Sequence, residues 1–402
     1  MTVRVVITGA GTINALAGDV PGTMAALLRG ECGIGLLRFR DADRLDVKIG
    51  AQAFDRISDN DYTARELALF DPVTRFALRA ADEAMSMAAL TGQPMPAGRA
   101  GVIIGTAAGG IATWEDSYRA VFQEGRNRVP PLVVPRLMHN APASHISIRH
   151  GLTGPAFAVS SACASATHAI GLAMQMVRSG AADVILAGGS EAMLCFGGVK
   201  AWEGLRVLSS DGCRPFDAAR NGMVLGEGAA VFVLEREAHA RARGAEILAE
   251  VAGFGMSADA GDIVAPSAEG AAAAIGAALR DAGMEPGDLG YVNAHGTGTA
   301  ANDRTECAAL RLALGTVAER VPLGSTKGAH GHAVGATGAL ELLAVLAALR
   351  QGAIAPTVGC SQPAADCDLD IVTGTARAAR VGAALSNSFA FGGLNAVLAL
   401  RA

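Results

Sequence analysis

The sequence has no Cys-x-x-Cys pair, although it carries seven cysteines: Cys32, Cys163, Cys195, Cys213, Cys307, Cys360 and Cys367. An odd set without that spacing argues against a disulfide framework and a zinc ribbon, and predicts a reduced, cytoplasmic protein. No Lys/Arg run is present and the formal net charge is −5, so no general attraction to nucleic acid or to an anionic membrane is expected. The opening Met1-Thr2-Val3-Arg4-Val5-Val6-Ile7 goes straight into a strand-like run, without the regions of a signal peptide. No uninterrupted apolar stretch of membrane length stands out, which predicts no membrane insertion. Low-complexity tracts and Pro/Ser-rich linkers are also missing. Charged residues are only 18% of 402 against 51% hydrophobic, so much of the chain belongs inside the fold or inside an oligomer, and a dimer is expected.

What is present is an alternation of short β-branched runs with longer Ala/Leu-rich segments. The runs are Val3 to Thr8, Gly101 to Gly105, Ala156 to Ser160, Asp183 to Ala187 and Ala229 to Leu234. The pattern then begins again, with a strand at Ile247 to Gly253, a helix over Ser267 to Ala282, a strand near Tyr291 and a helix over Asn302 to Leu314. Ala339 to Leu349 follows as a helix, and Gly382 to Leu385 and Ala396 to Leu400 as late strands. This predicts an α/β fold with largely parallel sheets, in two similar halves, 1–245 and 246–402.

Cys163 falls between the strand-like Ala156-Phe157-Ala158-Val159 and an apolar helical pattern of Ala169, Leu172, Ala173, Met176 and Val177 that Gly180 ends. A sulfur at a helix start lies near unpaired N–H groups and the positive end of the helix dipole, which favours thiolate. A small buried core cysteine fits the same position, so partner residues must decide. Two small-residue loops supply them. Asn293-Ala294-His295-Gly296-Thr297-Gly298-Thr299 presents an imidazole and hydroxyls where backbone can approach a ligand. Ser325-Thr326-Lys327-Gly328-Ala329-His330-Gly331-His332 crowds ionisable groups among glycines, ahead of an apolar helix that contains Glu341. His330 and His332 without a nearby acidic or thiolate partner are a weak metal motif. Thr8-Gly9-Ala10-Gly11-Thr12-Ile13-Asn14 begins like a dinucleotide fingerprint, but Asn14 replaces its third glycine.

Taken together, Cys163 in Ser-Ala-Cys-Ala-Ser, His295 in Asn-Ala-His-Gly-Thr-Gly-Thr, and Lys327 followed by His332 resemble the β-ketoacyl-[acyl carrier protein] synthase family, type II. Gly188-Gly189-Ser190-Glu191, Arg214-Pro215-Phe216-Asp217, Val224-Leu225-Gly226-Glu227-Gly228 and Asn387-Ser388-Phe389-Ala390-Phe391-Gly392-Gly393 resemble further family segments in family order. Lys200-Ala201-Trp202-Glu203 and Cys213-Arg214-Pro215-Phe216 are similar to the branch that contains nodulation protein E.

The resemblance implies a thiolase-like fold, two related halves in five αβαβα layers, and an acyltransferase that condenses an acyl group held on Cys163 with malonyl-[acyl carrier protein]. It implies an oxyanion hole from the N–H groups of Cys163 and Phe391, with His295 and His332 stabilising the enolate. Lys327 and Glu341 become a supporting pair that orients His332. Thr297 and Thr299 meet the pantetheine arm, Phe391 gates the acyl channel, and Phe389 and Ala108 line the substrate site. No cofactor is required, but some relatives hold K+ or Na+ near positions matching Asn293, Ala294, Glu341, Ser386 and Asn387. Arg126, Arg128 and Arg206, with Arg65, are the expected docking charges for an acidic carrier protein. A synthase-shaped subunit without chemistry would lack the cysteine, degradative thiolases use a second cysteine, and chalcone-type synthases pair cysteine with His and Asn.

Overall fold

The computed structural model describes residues 3–402; Met1 and Thr2 of the opening run lie outside the described residues. Ten strands carry the fold. They are β1 (Val5–Asn14), β2 (Ala100–Gly105), β3 (Ala156–Val159), β4 (Val184–Glu191), β5 (Gly228–Arg236), β6 (Ala249–Ala258), β7 (Tyr291–Asn293), β8 (Leu323–Gly324), β9 (Ala383–Ala390) and β10 (Leu394–Arg401). Packed on them are α1 (Pro72–Met87), α2 (Ile111–Tyr118), α3 (Ala141–His150), α4 (Ser165–Ser179), α5 (Phe196–Gly204), α6 (Ala268–Ala282), α7 (Ala300–Leu314) and α8 (Thr337–Gln351).

The strand order is β8-β7-β9-β10-β6-β1-β5-β4-β2-β3. It is one pattern used twice. In the first half β1 pairs with β5, β5 with β4, β4 with β2 and β2 with β3. In the second, β6, β10, β9, β7 and β8 follow the same sequence of partners. Among the described residues, strand pairing joins the two through Val6 and Ile7, opposite Glu250 and Ala249.

The expected largely parallel sheets are therefore corrected to mixed ones. In each half the inner pairings are antiparallel and the two outer ones parallel. Alternation with helices predicts parallel pairing only where a helix returns the chain to the same end of the sheet. The β9–β10 connection is too short for that, and it closes as a hairpin with Ala390 opposite Leu394.

Side-chain alternation builds the layers. On β2, Val102 and Ile104 face the core beneath α1 and α3, while Ile103 faces the central core with Ile185 and Ala187 of β4. α4 and α8 form that central layer, touching each other and strands of both halves. α6 and α7 cover the outer face of the second half. This is the five-layer thiolase arrangement. α8 is buried nearly all round, as a helix between two sheets must be. Residues 334–351 are long and apolar enough to cross a membrane, but they occupy this central core.

The dinucleotide-like glycines are inside β1, not in a loop. A Cβ on Gly9 would lie 2.2 Å from the carbonyl oxygen of Ala84, and one on Gly11 would lie 2.0 Å from that of Ala80. These glycines let α1 approach the strand, with no phosphate cradle involved.

Candidate active site

The carboxyl ends of the parallel strands in both halves converge on one cleft, the place where open α/β sheets bind ligands. Cys163 follows β3, His295 follows β7, Lys327 and His332 follow β8, and Phe389 and Phe391 lie at the end of β9. The cleft is lined by Cys163, His295 and His332 at its floor, with Thr297, Thr299, Phe389 and Phe391 around it.

Ala162 immediately precedes the thiol at φ 49°, a left-handed conformation that costs a non-glycine residue about 1–2 kcal/mol. The turn places Sγ of Cys163 3.1 Å from Nε2 of His332. The sulfur and one ring nitrogen from each of His295 and His332 lie within 4.8 Å of one another. The two imidazoles meet edge to face, with centroids 5.4 Å apart, and Phe389 packs against His295.

Two features of the structure oppose the expected thiolate preference. α4 begins at Ser165 with Ala164 as its N-cap, so the sulfur is outside the first turn. Burial pushes the thiol up to about 12, and the Lys327 charge opposes this only in part. The resting group is a thiol. Both imidazoles are held well below their ordinary range, first by burial and then by the Lys327 charge. They are neutral at physiological pH.

Lys327 is fully buried and donates to the backbone carbonyl of His295 and to Oε1 of Glu341. Its Nζ also lies 3.3 Å from Nδ1 of His295. The pair expected to orient His332 therefore orients His295 instead. His332 is fixed by Thr337, whose Oγ1 is 2.8 Å from Nδ1, and by its backbone, which bonds to Val224 and Gly226. His330 is no metal partner for His332, because its two ring nitrogens bond to Thr326 and to the carbonyl of Gly331.

Thr337, Asp303 and Glu306 also shape the site, and the sequence motifs do not mark them. Glu306 accepts the N–H groups of His295 and Gly296, each at 2.8 Å, and Asp303 accepts those of Phe216, Thr297 and Gly298. Their i, i+3 spacing on one face of α7, just after the His-Gly-Thr-Gly-Thr loop, is the signal that could have found them. Glu191 plays the same part elsewhere, accepting from Ala107, Ala108 and Gly335. Thr297 and Thr299 share a hydroxyl contact of 2.9 Å at the cleft wall. Ala108 packs against the same buried cluster as Cys163 without lining this cleft. It sits on a turn fastened to Glu191, and Trp202, Val207, Met223 and Val264 line the cleft instead.

Glu341 Oε2, Ser386 Oγ and Asn387 Oδ1 are buried without hydrogen-bond partners among the described residues, as is Nδ2 of Asn293. Oδ1 of Asn293 accepts from the Tyr291 hydroxyl at 3.1 Å. Among the docking candidates, Arg65, Arg128 and Arg206 are exposed and have no ion-pair partner among the described residues, while Arg126 pairs with Glu124 at 3.0 Å. Arg206 immediately precedes Val207 of the cleft lining.

This fold and this thiol with two imidazoles define a condensing enzyme of the thiolase-fold class. The chain belongs to the β-ketoacyl synthase family: residues 2–240 match its N-terminal domain and 248–361 its C-terminal domain. It is 45% identical to a nodulation protein E from a Rhizobium species over 99% of both chains. It is 37% identical to 3-oxoacyl-[acyl-carrier-protein] synthase 2 of Staphylococcus aureus, over 99% of this chain and 98% of the relative. Among solved structures, the ishigamide ketosynthase/chain length factor superposes with TM-score 0.94 at 32% identity, covering 100% of this chain and 99% of that one. A type II polyketide ketosynthase in complex with its acyl-carrier protein superposes with TM-score 0.92 at 29% identity over 100% of both.

Proposed function

We propose that the protein is a β-ketoacyl-[acyl carrier protein] synthase in which Cys163 takes an acyl group from a carrier thioester and His295 and His332 drive its condensation with a malonyl carrier. The supporting observation is the buried thiol set beside two uncharged imidazoles in one apolar cleft.

In the first half-reaction the thiol donates its proton toward Nε2 of His332 as sulfur attacks the thioester, and the proton leaves with the carrier thiol. The N–H groups of Cys163 and Phe391 are assigned to the oxyanion. In the second, loss of CO₂ leaves an enolate whose oxygen needs donors that carry no charge of their own. Lys327 beside Nδ1 of His295 leaves that ring its proton on Nε2, facing the cleft. For His332 the Thr337 hydroxyl can accept from Nδ1 in the first half-reaction and donate to it in the second. One contact thus serves both tautomers. The enolate carbon then attacks the acyl thioester, the C–S bond to Cys163 breaks, and one proton restores the thiol.

The orphaned oxygens of Glu341, Ser386 and Asn387, with Asn293 and the backbone of Ala294, fit a K+ or Na+ ion, whose oxygen preference they meet. Such an ion would offset the buried carboxylate and hold the strand ends beneath His295. We assign carrier docking to Arg126, Arg128 and Arg206, with Arg206 nearest the cleft. A homodimer is favoured by the edge strand β3 and by the exposed Trp114, Tyr118 and Phe122, which stack along one face. The free state of every cysteine suits a reducing cytoplasm.

The test is Cys163→Gln. A synthase of this design releases CO₂ from malonyl carrier in that variant without condensing. A hydrolase has no means to do so, and silence toward malonyl carrier would overturn the reading.

A further inference from the structure

Trp202 is one of only two tryptophans, and it lies on α5, away from the strand ends that carry the thiol and imidazoles. Its indole stacks on Phe391 with centroids 5.8 Å apart and planes inclined by 26°. The indole is braced. Its Nε1–H donates to the sulfur of Met193, a residue of the central core, and the adjacent Glu203 accepts the N–H groups of Asp46 and Val47 at 2.8 Å each. The phenyl ring of Phe391 has the indole as its one aromatic partner among the described residues, while the turn after it is held by the Gly392 N–H on the carbonyl of Ile263 at 2.8 Å and the Asp259 N–H on that of Gly393 at 2.9 Å. Phe391 stands before Gly392 and Gly393, at φ 84° and 67°, backbone that glycine adopts without strain. Both rings border the cleft that contains Cys163.

We propose that Trp202 is a positioning residue for Phe391: it latches the phenyl ring across the approach to Cys163, and a long acyl chain reaches the sulfur only when the two rings part. The idea deepens the reading of Phe391 as a gate and rests on it. The indole carries a hydrogen bond that a phenyl cannot make, so opening turns the Phe391 side chain about its own torsions and leaves Trp202 in place. The exposed indole face then becomes apolar wall for the incoming chain.

The experiment needs no acyl transfer. Cys163 is alkylated with iodoacetamide or with a long-chain N-alkyl iodoacetamide, and the rate is followed by mass spectrometry of its peptide. Trp202→Leu should raise the long-chain rate about tenfold relative to the short reagent, the upper range for loss of one aromatic pair, whereas Trp202→Phe should stay near the parent. An unchanged ratio in Trp202→Leu, or an equal rise in both variants, would overturn the latch. In a Trp114→Phe background, where Trp202 is the sole tryptophan, long-chain alkylation should shift indole emission. Phe391→Leu should show the shifted emission before any reagent is added. Emission indifferent to both changes counts against the proposal. Failure of the synthase reading itself would be seen separately, as absence of malonyl decarboxylation in Cys163→Gln.

Discussion

The ammonium of Lys327 touches His295 and not His332, yet its charge lowers the proton affinity of both rings. Removing it as Lys327→Met lets both imidazoles move back up toward their ordinary range. Since the neutral rings are the working form, the acid limb of malonyl decarboxylation should shift to higher pH. The rate above that limb should fall about 10- to 100-fold, as when other groups that orient a working histidine are removed. A pH–rate profile that superimposes on the parent would contradict this. Thr337→Val should slow both half-reactions and Thr337→Ser should restore them, measured by acylation of Cys163 and by condensation. A hydroxyl needed only to fill space would be replaced equally well by Val.

At the scale of elements, strand and helix positions were largely legible, because a buried strand such as β1 reads as a continuous apolar run and α8 as an apolar helix. Their direction was not. Whether two strands run parallel depends on the path between them, which local composition does not encode. Gly9 and Gly11 show the same limit, since a strand glycine admitting a helix and a loop glycine admitting a phosphate look alike in sequence. Gly11→Ala should therefore destabilise the fold by about 1–3 kcal/mol, the usual range for overpacking, visible as a lowered thermal midpoint. A phosphate-loop role would predict little change.

Glu227, whose carboxylate accepts the N–H groups of Ala53 and Phe54, is raised by burial from 4.5 to about 7. Between those values the folded chain keeps a proton that the unfolded chain has lost. Its contribution is full below 4.5 and is lost as pH rises through about 7. Against the parent, Glu227→Gln should gain in thermal midpoint as pH rises across that window. A constant difference would refute the shift.

For the whole molecule, the site is where two halves of one topology face each other, and its main residues were legible because catalysis demands unusual side chains among small ones. Cys163, His295, His332 and Lys327 stood out in that way. Thr337 and the acids of α7 did not, since their work is to hold backbone and tautomer. Two surface features carry predictions at this scale. Phe122→Glu with Val134→Glu, both on exposed apolar ground, should halve the native mass if the chain pairs through that face. Charge reversal at Arg128 and Arg206 should slow acyl transfer from carrier protein while sparing a small thioester, and equal slowing of both would remove docking as the cause.

The central claim is tested most directly by following the mass of the Cys163 peptide through one turnover. On addition of acyl carrier thioester it should gain the acyl mass, and on addition of malonyl carrier it should return to the free thiol. One CO₂ should be released and a 3-oxoacyl carrier two carbons longer should appear. Acyl mass on another cysteine, or its loss to water as free acid without chain extension, would contradict the account.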